Sequence, residues 1–414
     1  MRPLAALAVL ALTVQGQAQS QIRPQAFSLP NGLRVVLLED HERPLVRARL
    51  HLLLDRETGP IRPGFAPLAL RVLGRSGAGS FSADDFDQLL AGSGIELTPA
   101  LRADGLTWNL LARSRDQDLA LGLLADRVMR PIFDASILEA QRLACWRELE
   151  RLEASPQAKL RLALEPDRIL QAPTLESLTA ITYQDLLAFF ARVFRPDHAV
   201  LVLHGDLGQE QAKRLVLLSF GTWTVQSAPP SPPPPAPAPP SVAGRIQVPA
   251  VGVLPQALAV AAPPLDLGVE AKALLALLLL GDPSMFPVQF RMEGLDLVAT
   301  LEAEPSVSAS AVETALLNRL QALRQRGFTE ADLRRARTAW SASRSLSALH
   351  PETMVDEALA EAREHAVSPA RMEALTVEAL NDTLRRWLDP VHLKTGVLAD
   401  PGALKPAAKS LSVN

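Results

Sequence analysis

The chain has 414 residues, and one ordinary hydrophobic core seldom organises that many, because domains usually hold about 100–200 residues. Its formal net charge of −3 lacks the positive excess typical of nucleic-acid-binding proteins. The single cysteine, Cys145, excludes an internal disulfide and a cysteine-based zinc site, and we expect it to be a buried thiol.

The N terminus has the three parts of a secretory signal. Arg2 is positively charged, residues 4–14 are apolar, and Gly16 and Ala18 form a small-x-small cleavage site. We predict a signal peptide over 1–18, cleavage after Ala18, and a periplasmic or secreted mature chain. An uncleaved anchor is the alternative, although the apolar stretch is short for a span. After cleavage we expect no membrane span, because the apolar run 271–280 is about half the length needed.

The pattern along the first half alternates strands and helices. Hydrophobic periodicity and turn residues predict the following elements: strands over 33–39 and 46–54, a helix over 64–73 that Gly74 stops, a helix over 83–91, strands over 95–101 and 106–112 joined at Asp104-Gly105, and helices over 116–129 and 136–154. We expect the second half to run strand, strand, helix, strand, then several helices and a closing strand. Hairpins with helices between them predict an α+β fold with mainly antiparallel sheets.

A proline-rich segment separates the halves. Residues 227–243 contain nine prolines between Pro229 and Pro240, interspersed with alanine and serine. Such a stretch adopts extended polyproline II and acts as a semi-rigid linker; a docking ligand for an aromatic groove is the alternative. We therefore predict an N-terminal domain over 19–226 and a C-terminal domain over 244–414.

Six identities recur at one spacing in the two halves. They are Thr182, Leu186, Arg192, Pro196, His198 and Asp206, which correspond to Thr376, Leu380, Arg386, Pro390, His392 and Asp400, always 194 residues later. In both copies a threonine N-cap opens an amphipathic helix, a proline ends it and a strand follows. The spacing indicates an internal duplication.

No motif carries chemistry by itself. The seven histidines form neither H-E-x-x-H nor H-x-x-E-H. The sequence Glu361-Ala-Arg-Glu-His365 is a near miss, interpreted as a solvated helix face. The sequence Gly74-Arg-Ser-Gly-Ala78 approximates a nucleophile elbow but follows a helix rather than a strand.

Several segments resemble the pitrilysin/insulinase family of zinc metallopeptidases, the inverzincins. The resemblance is carried by 29–36 (LPNGLRVV), 94–97 (GIEL), 131–134 (PIFD), 146–149 (WREL) with Pro156, and 182–206. It covers nearly the whole mature chain. It implies two duplicated domains, each a sheet flanked by helices, joined as a clam-shell of the LuxS/metallohydrolase-like type.

Active members of that family place H-x-x-E-H on the first helix of the first half. Two histidines at i and i+4 bind zinc, and the glutamate between them is the general base. Here the corresponding positions are Pro67, Leu70 and Arg71, and none can perform those roles. Glu148 corresponds to the distal zinc ligand, and we expect it to pair with Arg71 instead. Zinc is therefore not expected, and neither is any other cofactor.

The resemblance also implies a substrate-binding arginine and tyrosine in the second half. Arg291 matches the arginine, on a predicted helix before a strand, whereas the tyrosine position falls near Leu297 or Val298. The edge strand that pairs with substrate in the family contains Pro99, which removes one backbone donor.

These replacements predict a homologue that does not cut peptides. The resemblance implies a partnership with a catalytic relative that carries H-x-x-E-H, the two subunits closing a peptide-holding chamber. The alternative is a stand-alone peptide-binding or scaffold protein of the cell envelope. A third hypothesis, peptidase activity at an unforeseen zinc site, needs ligands that the sequence does not offer.

Overall fold

The computed structural model describes residues 22–54, 62–102, 104–164, 173–225, 245–264, 267–293, 296–347, 350–363 and 367–401. The predicted signal peptide at 1–18, the linker at 227–243 and the near miss that ends at His365 lie outside these residues, the last in part. In the part of the chain that is described, no helix combines the length and apolar character needed to cross a membrane.

The predicted elements of the first half occur in the predicted order. The elements of this half are β1 (Gln25–Ser28), β2 (Arg34–Glu39), β3 (Leu45–Leu53), α1 (Phe65–Arg75), β4 (Gly77–Ala78), α2 (Ala83–Ser93), β5 (Glu96–Arg102), β6 (Gly105–Arg113), α3 (Gln117–Met129), β7 (Pro131–Ile132), α4 (Ala135–Ala154), α5 (Pro156–Leu164), α6 (Leu175–Thr179), α7 (Tyr183–Val193), β8 (Ala199–Gly205) and α8 (Gln209–Phe220). Of these, β1, β4, β7, α5, α6 and α8 are additional to the predicted ones.

The second half adds five strands and six helices among the described residues. They are β9 (Arg245–Pro249), β10 (Gln256–Ala261), α9 (Val269–Leu280), β11 (Gln289–Glu293), β12 (Asp296–Glu302), α10 (Ala309–Arg326), α11 (Glu330–Ser347), α12 (Pro351–Ala362), α13 (Pro369–Ala374), α14 (Val377–Trp387) and β13 (Leu393–Ala399).

The two large sheets share one topology apart from β1, which has no counterpart in the second sheet. The first has the order β1-β2-β8-β3-β6-β5 and the second β11-β12-β10-β13-β9. In each, one pair is parallel, β2 with β8 and β9 with β13, and the other pairs are antiparallel. The predicted α+β class with mainly antiparallel sheets is confirmed.

The predicted repeat corresponds to equivalent elements. Helix α7 and strand β8 lie 194 residues before α14 and β13, at both ends of each element. Thr182 and Thr376 cap their helices in the same way, each side chain accepting the backbone N–H three residues later. These matches support the hypothesis of an internal duplication.

One predicted helix end is wrong. Helix α1 continues through Gly74 and ends at Arg75. Its C-cap is Ser76, whose backbone N–H donates to the carbonyl of Leu73. Gly74 does not stop the helix; it leaves room for a neighbour, because a Cβ at this position would lie 3.1 Å from Cγ of Pro99 on β5. The glycine therefore marks close helix–sheet packing rather than a C-cap.

Alternation along the strands decides which face carries the core. On β3, Val46, Ala48, Leu50 and Leu52 face the main core of the first half, under α1, α3 and α7. Arg47, Arg49 and His51 point to the opposite face, since successive side chains of a strand alternate. The first sheet is thus apolar on one face and bears a basic row on the other.

Each half covers the outer face of the other half's sheet with one helix. Helix α12 of the second half packs Val355, Ala358 and Leu359 against apolar residues of β2 and β8. Helix α5 of the first half packs Leu160 and Leu164 against the second sheet. The exchange is reciprocal. In each sheet, a helix of the other half buries apolar residues of the outer face.

Candidate functional site

Helix α1 occupies the place where the resemblance puts the catalytic helix. It begins after Gly64, whose φ of +74° lies in the left-handed region, and no side chain caps it. Pro67 is the third helical residue. The N–H groups of the first turn have no acceptor within the helix, so the N–H that proline lacks costs no helical hydrogen bond. Leu70 is buried in the core. Neither residue offers a proton acceptor or a ligand atom.

Arg71 and Glu148 form an ion pair across α1 and α4. The sequence predicted this pairing, between the two positions that the resemblance assigns to the second histidine and the distal ligand. Both side chains are about half exposed, at 41% and 48%, so the pair adds little to stability. The positive charge of Arg71 lies against the carboxylate of Glu148 and repels a divalent cation at this position. The residues present do not fit a zinc ion.

Cys145 is buried one turn before Glu148 on α4. Burial raises the pKa of its thiol, with a smaller opposing effect of Arg71. The prediction of a buried thiol is confirmed, and a thiol held neutral is a poor metal ligand and nucleophile. Among the described residues, no three His, Cys, Asp or Glu side chains converge into a group suited to a metal ion.

Pro99 lies on β5, the terminal strand of the first sheet, opposite Trp108 of β6. The strand is the predicted edge, and it contacts α1 through Gly74. A proline on this edge lacks the N–H that an added strand would use, so strand addition at β5 is weakened.

Arg291 is not on a helix, contrary to the prediction. It lies on β11, the terminal strand of the second sheet, opposite Val298 of β12. The alternation of buried Val288 and Phe290 with exposed Gln289 and Arg291 forms a strand because one face packs on the second core. Arg291 therefore lies on a strand of the second half, whereas the Arg71–Glu148 pair joins two helices of the first half.

The candidate tyrosine positions are buried in the second sheet. Leu297 and Val298 lie on β12 and pair with Ala261 and Val260 of β10. A hydrophobic side chain at these positions serves packing, and neither can bind a substrate carbonyl.

Sequence reasoning missed a charged network between the halves. Arg49, only 5% exposed, pairs with Glu352 at 2.7 Å and with Asp356, both on α12, and its Nε donates to Asn109 at 2.8 Å. Arg34 donates to the carbonyl of Ala362 at the end of the same helix, at 2.9 Å. The alternation of Arg47, Arg49 and His51 with apolar residues on β3 was the signal that an acidic partner covers this face.

His51 and Asp104 extend the network beyond α12. The Nδ1 of His51 lies 2.9 Å from Oγ1 of Thr107, and Nε2 lies 3.6 Å from Oδ1 of Asp104. Arg363 pairs with the other oxygen of Asp104 at 2.5 Å. Burial, reinforced by the positive charge of Arg363, lowers the pKa of His51 to about 4. The imidazole is thus neutral in the folded protein at neutral pH.

Comparison with known proteins agrees with this geometry. Residues 180–283 match a family model described as the Peptidase M16 inactive domain. An uncharacterized zinc protease of Mycobacterium leprae is 26% identical over 216 residues, which are 49% of this chain and 48% of that protein. Over these segments the chain is similar to M16 peptidases and to their inactive domain. It spans about half the length of this curated relative.

Solved structures share the fold of this chain. A protease from Helicobacter pylori superimposes with a TM-score of 0.75 at 15% identity, over 92% of this chain and all of that chain. A peptidase M16 inactive domain from Pseudomonas fluorescens gives 0.73 at 18% identity, over 93% of this chain and all of that one. The periplasmic protease PqqL of Escherichia coli gives 0.72 at 16% identity, over 96% of this chain and 49% of PqqL.

Proposed function

We propose that this chain is the supporting subunit of an exported, heterodimeric peptidase whose other subunit carries H-x-x-E-H and zinc. The observation that carries the proposal is the Arg71–Glu148 ion pair, which occupies the ligand positions of a fold that is otherwise kept. A subunit with this pair contributes shape and peptide contacts, and its partner contributes the metal and the general base.

Chain length supports the pairing. This chain aligns with 49% of PqqL, so that protease is about twice as long as the unit described here. A subunit equivalent to one half of such a chain would gain the other half from a separate polypeptide. Export rests on the signal expected at 1–18, and it fits the similarity to PqqL, a periplasmic protease.

Affinity capture tests the proposal. The tagged mature protein is recovered from its own cell envelope, and the recovered material is assayed for zinc and for peptide cleavage, with a tag-only capture as control. We expect a zinc-bearing relative in equal amount, and a loss of its activity when this chain is removed.

A different recovery would contradict the heterodimer. If the chain is recovered alone, free of zinc and without activity, the supporting-subunit proposal is wrong. The stand-alone peptide-binding or scaffold role would then be the function to test, by measuring peptide binding of the isolated chain.

A further inference from the structure

Two buried histidines border the joint between the halves, which is the contact of α12 with the outer face of the first sheet. His51 on β3 and His204 on β8 are 0% and 2% exposed. His51 is paired with Val200 of β8, and His204 follows Val200 by four residues, so all three side chains point to the outer face. Val200 and Val202 pack against α12 there. The apolar strip that α12 covers therefore has a buried imidazole beside each end.

The two rings are poorly supplied with hydrogen-bond partners. Nδ1 of His51 lies 2.9 Å from the hydroxyl of Thr107, but its Nε2 and both ring nitrogens of His204 have no partner among the described residues. The nearest carboxylates are Asp104 and Asp40, each 3.6 Å from the Nε2 atom of its histidine, which is too far for a hydrogen bond. Because buried polar atoms are nearly always hydrogen-bonded, two such rings in one joint indicate a site that is only conditionally stable.

The charged groups that face His51 are mainly positive. They are Arg49 on β3, Arg102 on β5, Asp104 in the turn between β5 and β6, and Arg363 at the C-cap of α12. Asp104 is already bonded to Arg363. A proton on His51 would thus lie among three guanidinium groups. This repulsion decreases if α12 moves away and takes Arg363 with it.

The charges around His204 are balanced. Arg43, Arg47 and Asp40 face it from β2, β3 and the loop between them, and Glu352 faces it from α12. Burial has the largest effect and lowers the pKa of His204. A charged ring at this position would need water. Since α12 packs on β8 two residues away, displacement of α12 would admit that water.

We propose that His51 and His204 make the joint an acid-sensitive latch, in which protonation of the two rings releases α12 from the outer face of the first sheet. The release uncovers the apolar strip on β2 and β8. The contact of α5 with the second sheet is different, because Leu160 and Leu164 lie there among apolar side chains that bind no proton. The halves therefore stay joined through α5, and the opening is partial.

The direction of the pH effect follows from the two forms of the joint. The pKa of His51 is about 4 in the closed joint and returns toward the ordinary 6.5 in water, so the open form binds more protons between these values. Between pH 7.5 and pH 5.0, His51 alone should favour the open form by about 30-fold. His204 acts in the same direction, because its pKa is lowered as well. The latch is closed above pH 6.5 and opens as the pH falls toward 4.

Amide hydrogen exchange of the mature chain at pH 7.5 and pH 5.0, corrected for the intrinsic exchange rate at each pH, tests the latch. A detached helix of 12 residues is marginal in water, so α12 should exchange once it leaves the sheet. We expect the protection of 351–362 to fall by about 30-fold or more at pH 5.0. It should then be at least about tenfold lower than the protection of α3, which packs on the opposite face of the sheet.

Variants assign the effect to the two rings. His51→Gln retains a group that can bond to Thr107, and His204→Met keeps a similar volume where the ring makes no hydrogen bond to lose. In the double variant the fall in protection should be less than about threefold, and each single variant should show a smaller fall than the parent. His350→Gln is the matched control, because His350 is exposed at the N-cap of the same helix and its side chain makes no capping bond. This control should keep the full response.

The proposal is wrong if the protection of 351–362 is the same at both pH values, or if the folded single or double variants respond as the parent does. Equal protection of α12 and α3 at pH 5.0 would show that the chain unfolds as a whole, and a response abolished by His350→Gln would assign it to the N-cap. Each of these results also overturns the latch. The chain is tested alone, so the outcome is independent of whether a catalytic partner is captured.

Discussion

His51 is the residue through which pH should act most directly on stability. It is fully buried on the outer face of β3, beside Arg363 and Asp104 and close to Arg49 and Arg102. Protonation would add a positive charge beside three arginines, and its Nε2 has no hydrogen-bond partner among the described residues. The neutral imidazole is therefore the form compatible with the fold.

The sign of the pH effect follows from the lowered pKa. The folded chain holds His51 at a pKa of about 4, below the 6.5 of an ordinary histidine, so the unfolded chain binds more protons between these values. Stability from this group is complete above pH 6.5 and falls as pH drops toward 4, by about 3 kcal/mol at most.

His51→Gln should remove much of this dependence, because glutamine can still bond to Thr107 and does not titrate. Urea unfolding at pH 7 and pH 4.5 measures it, and His392→Gln at an exposed position is the control. If His51→Gln loses as much stability between the two pH values as the parent, the assignment to His51 is wrong.

We expect Arg71 to be the main obstacle to zinc binding on helix α1. Pro67→His, Leu70→Glu and Arg71→His together restore H-x-x-E-H and release Glu148 to act as third protein ligand. We expect about one zinc per chain in this triple variant and none in the parent, because two histidines at i and i+4 plus a carboxylate form a catalytic-type site.

Elemental analysis after dialysis measures the zinc, and circular dichroism checks that the burial of a glutamate at position 70 has not unfolded the chain. The same triple variant with Glu148→Gln is the control and should bind zinc more weakly. Equal zinc in the triple variant with and without Glu148 would contradict its assignment as the vestigial ligand.

At the scale of elements, α12 is the helix on which the joint between the halves depends. Its acidic side chains lie over the basic row of β3, and its apolar side chains lie over β2 and β8. Arg49 is nearly inaccessible, so its charge needs both carboxylates, whereas Glu352 and Asp356 are themselves partly exposed and screened by water.

Glu352→Gln with Asp356→Asn should destabilise the protein by about 2 kcal/mol, because a buried guanidinium loses its counter-charges. Denaturant unfolding measures the change. Glu357→Gln on the same helix is the matched control and should alter stability by less than about 0.5 kcal/mol. Equal effects of the two changes would show that charge pairing with Arg49 is unimportant.

At the scale of the whole molecule, the reciprocal exchange of α5 and α12 should make the halves interdependent. Without the second half, Val36, Leu38, Val200 and Val202 lose their cover; without the first, Leu258 and Leu398 lose theirs. Gly396 permits the close approach on the second sheet, since a Cβ there would lie 2.4 Å from Cδ1 of Leu160.

Fragments 19–226 and 244–414 should therefore fold together but not separately. We expect a one-to-one complex when both are co-expressed, and aggregation of each when it is expressed alone, because each exposes an apolar sheet face. Size-exclusion chromatography with circular dichroism measures this. Two soluble, cooperatively unfolding monomers would show that the halves are independent domains, and the co-expressed pair with Val355→Asp should fail to assemble.

Local patterns were enough to predict the secondary structure and the lost motif. Periodicity located the main strands and helices of the first half to within a few residues, because the alternation and helical repeat of apolar residues follow directly from burial, but it missed β1, α5, α6 and α8. The N-cap threonines and the constant spacing of 194 located the matching helices and strands of the two halves. The identities of Pro67, Leu70 and Arg71 excluded the zinc-peptidase chemistry without any coordinates.

Only the tertiary structure decided how separate segments meet. Gly74 lies within helix α1, where Pro99 of β5 packs close to its Cα. Arg291 is on a strand because its neighbours Val288 and Phe290 pack on the second core. The partners of Arg49 lie 303 and 307 residues away, a separation over which no local pattern acts. The amino-acid sequence alone identified Pro67, Leu70 and Arg71 at the positions where the resemblance expects H-x-x-E-H, whereas long-range packing decided which face of each sheet a helix covers.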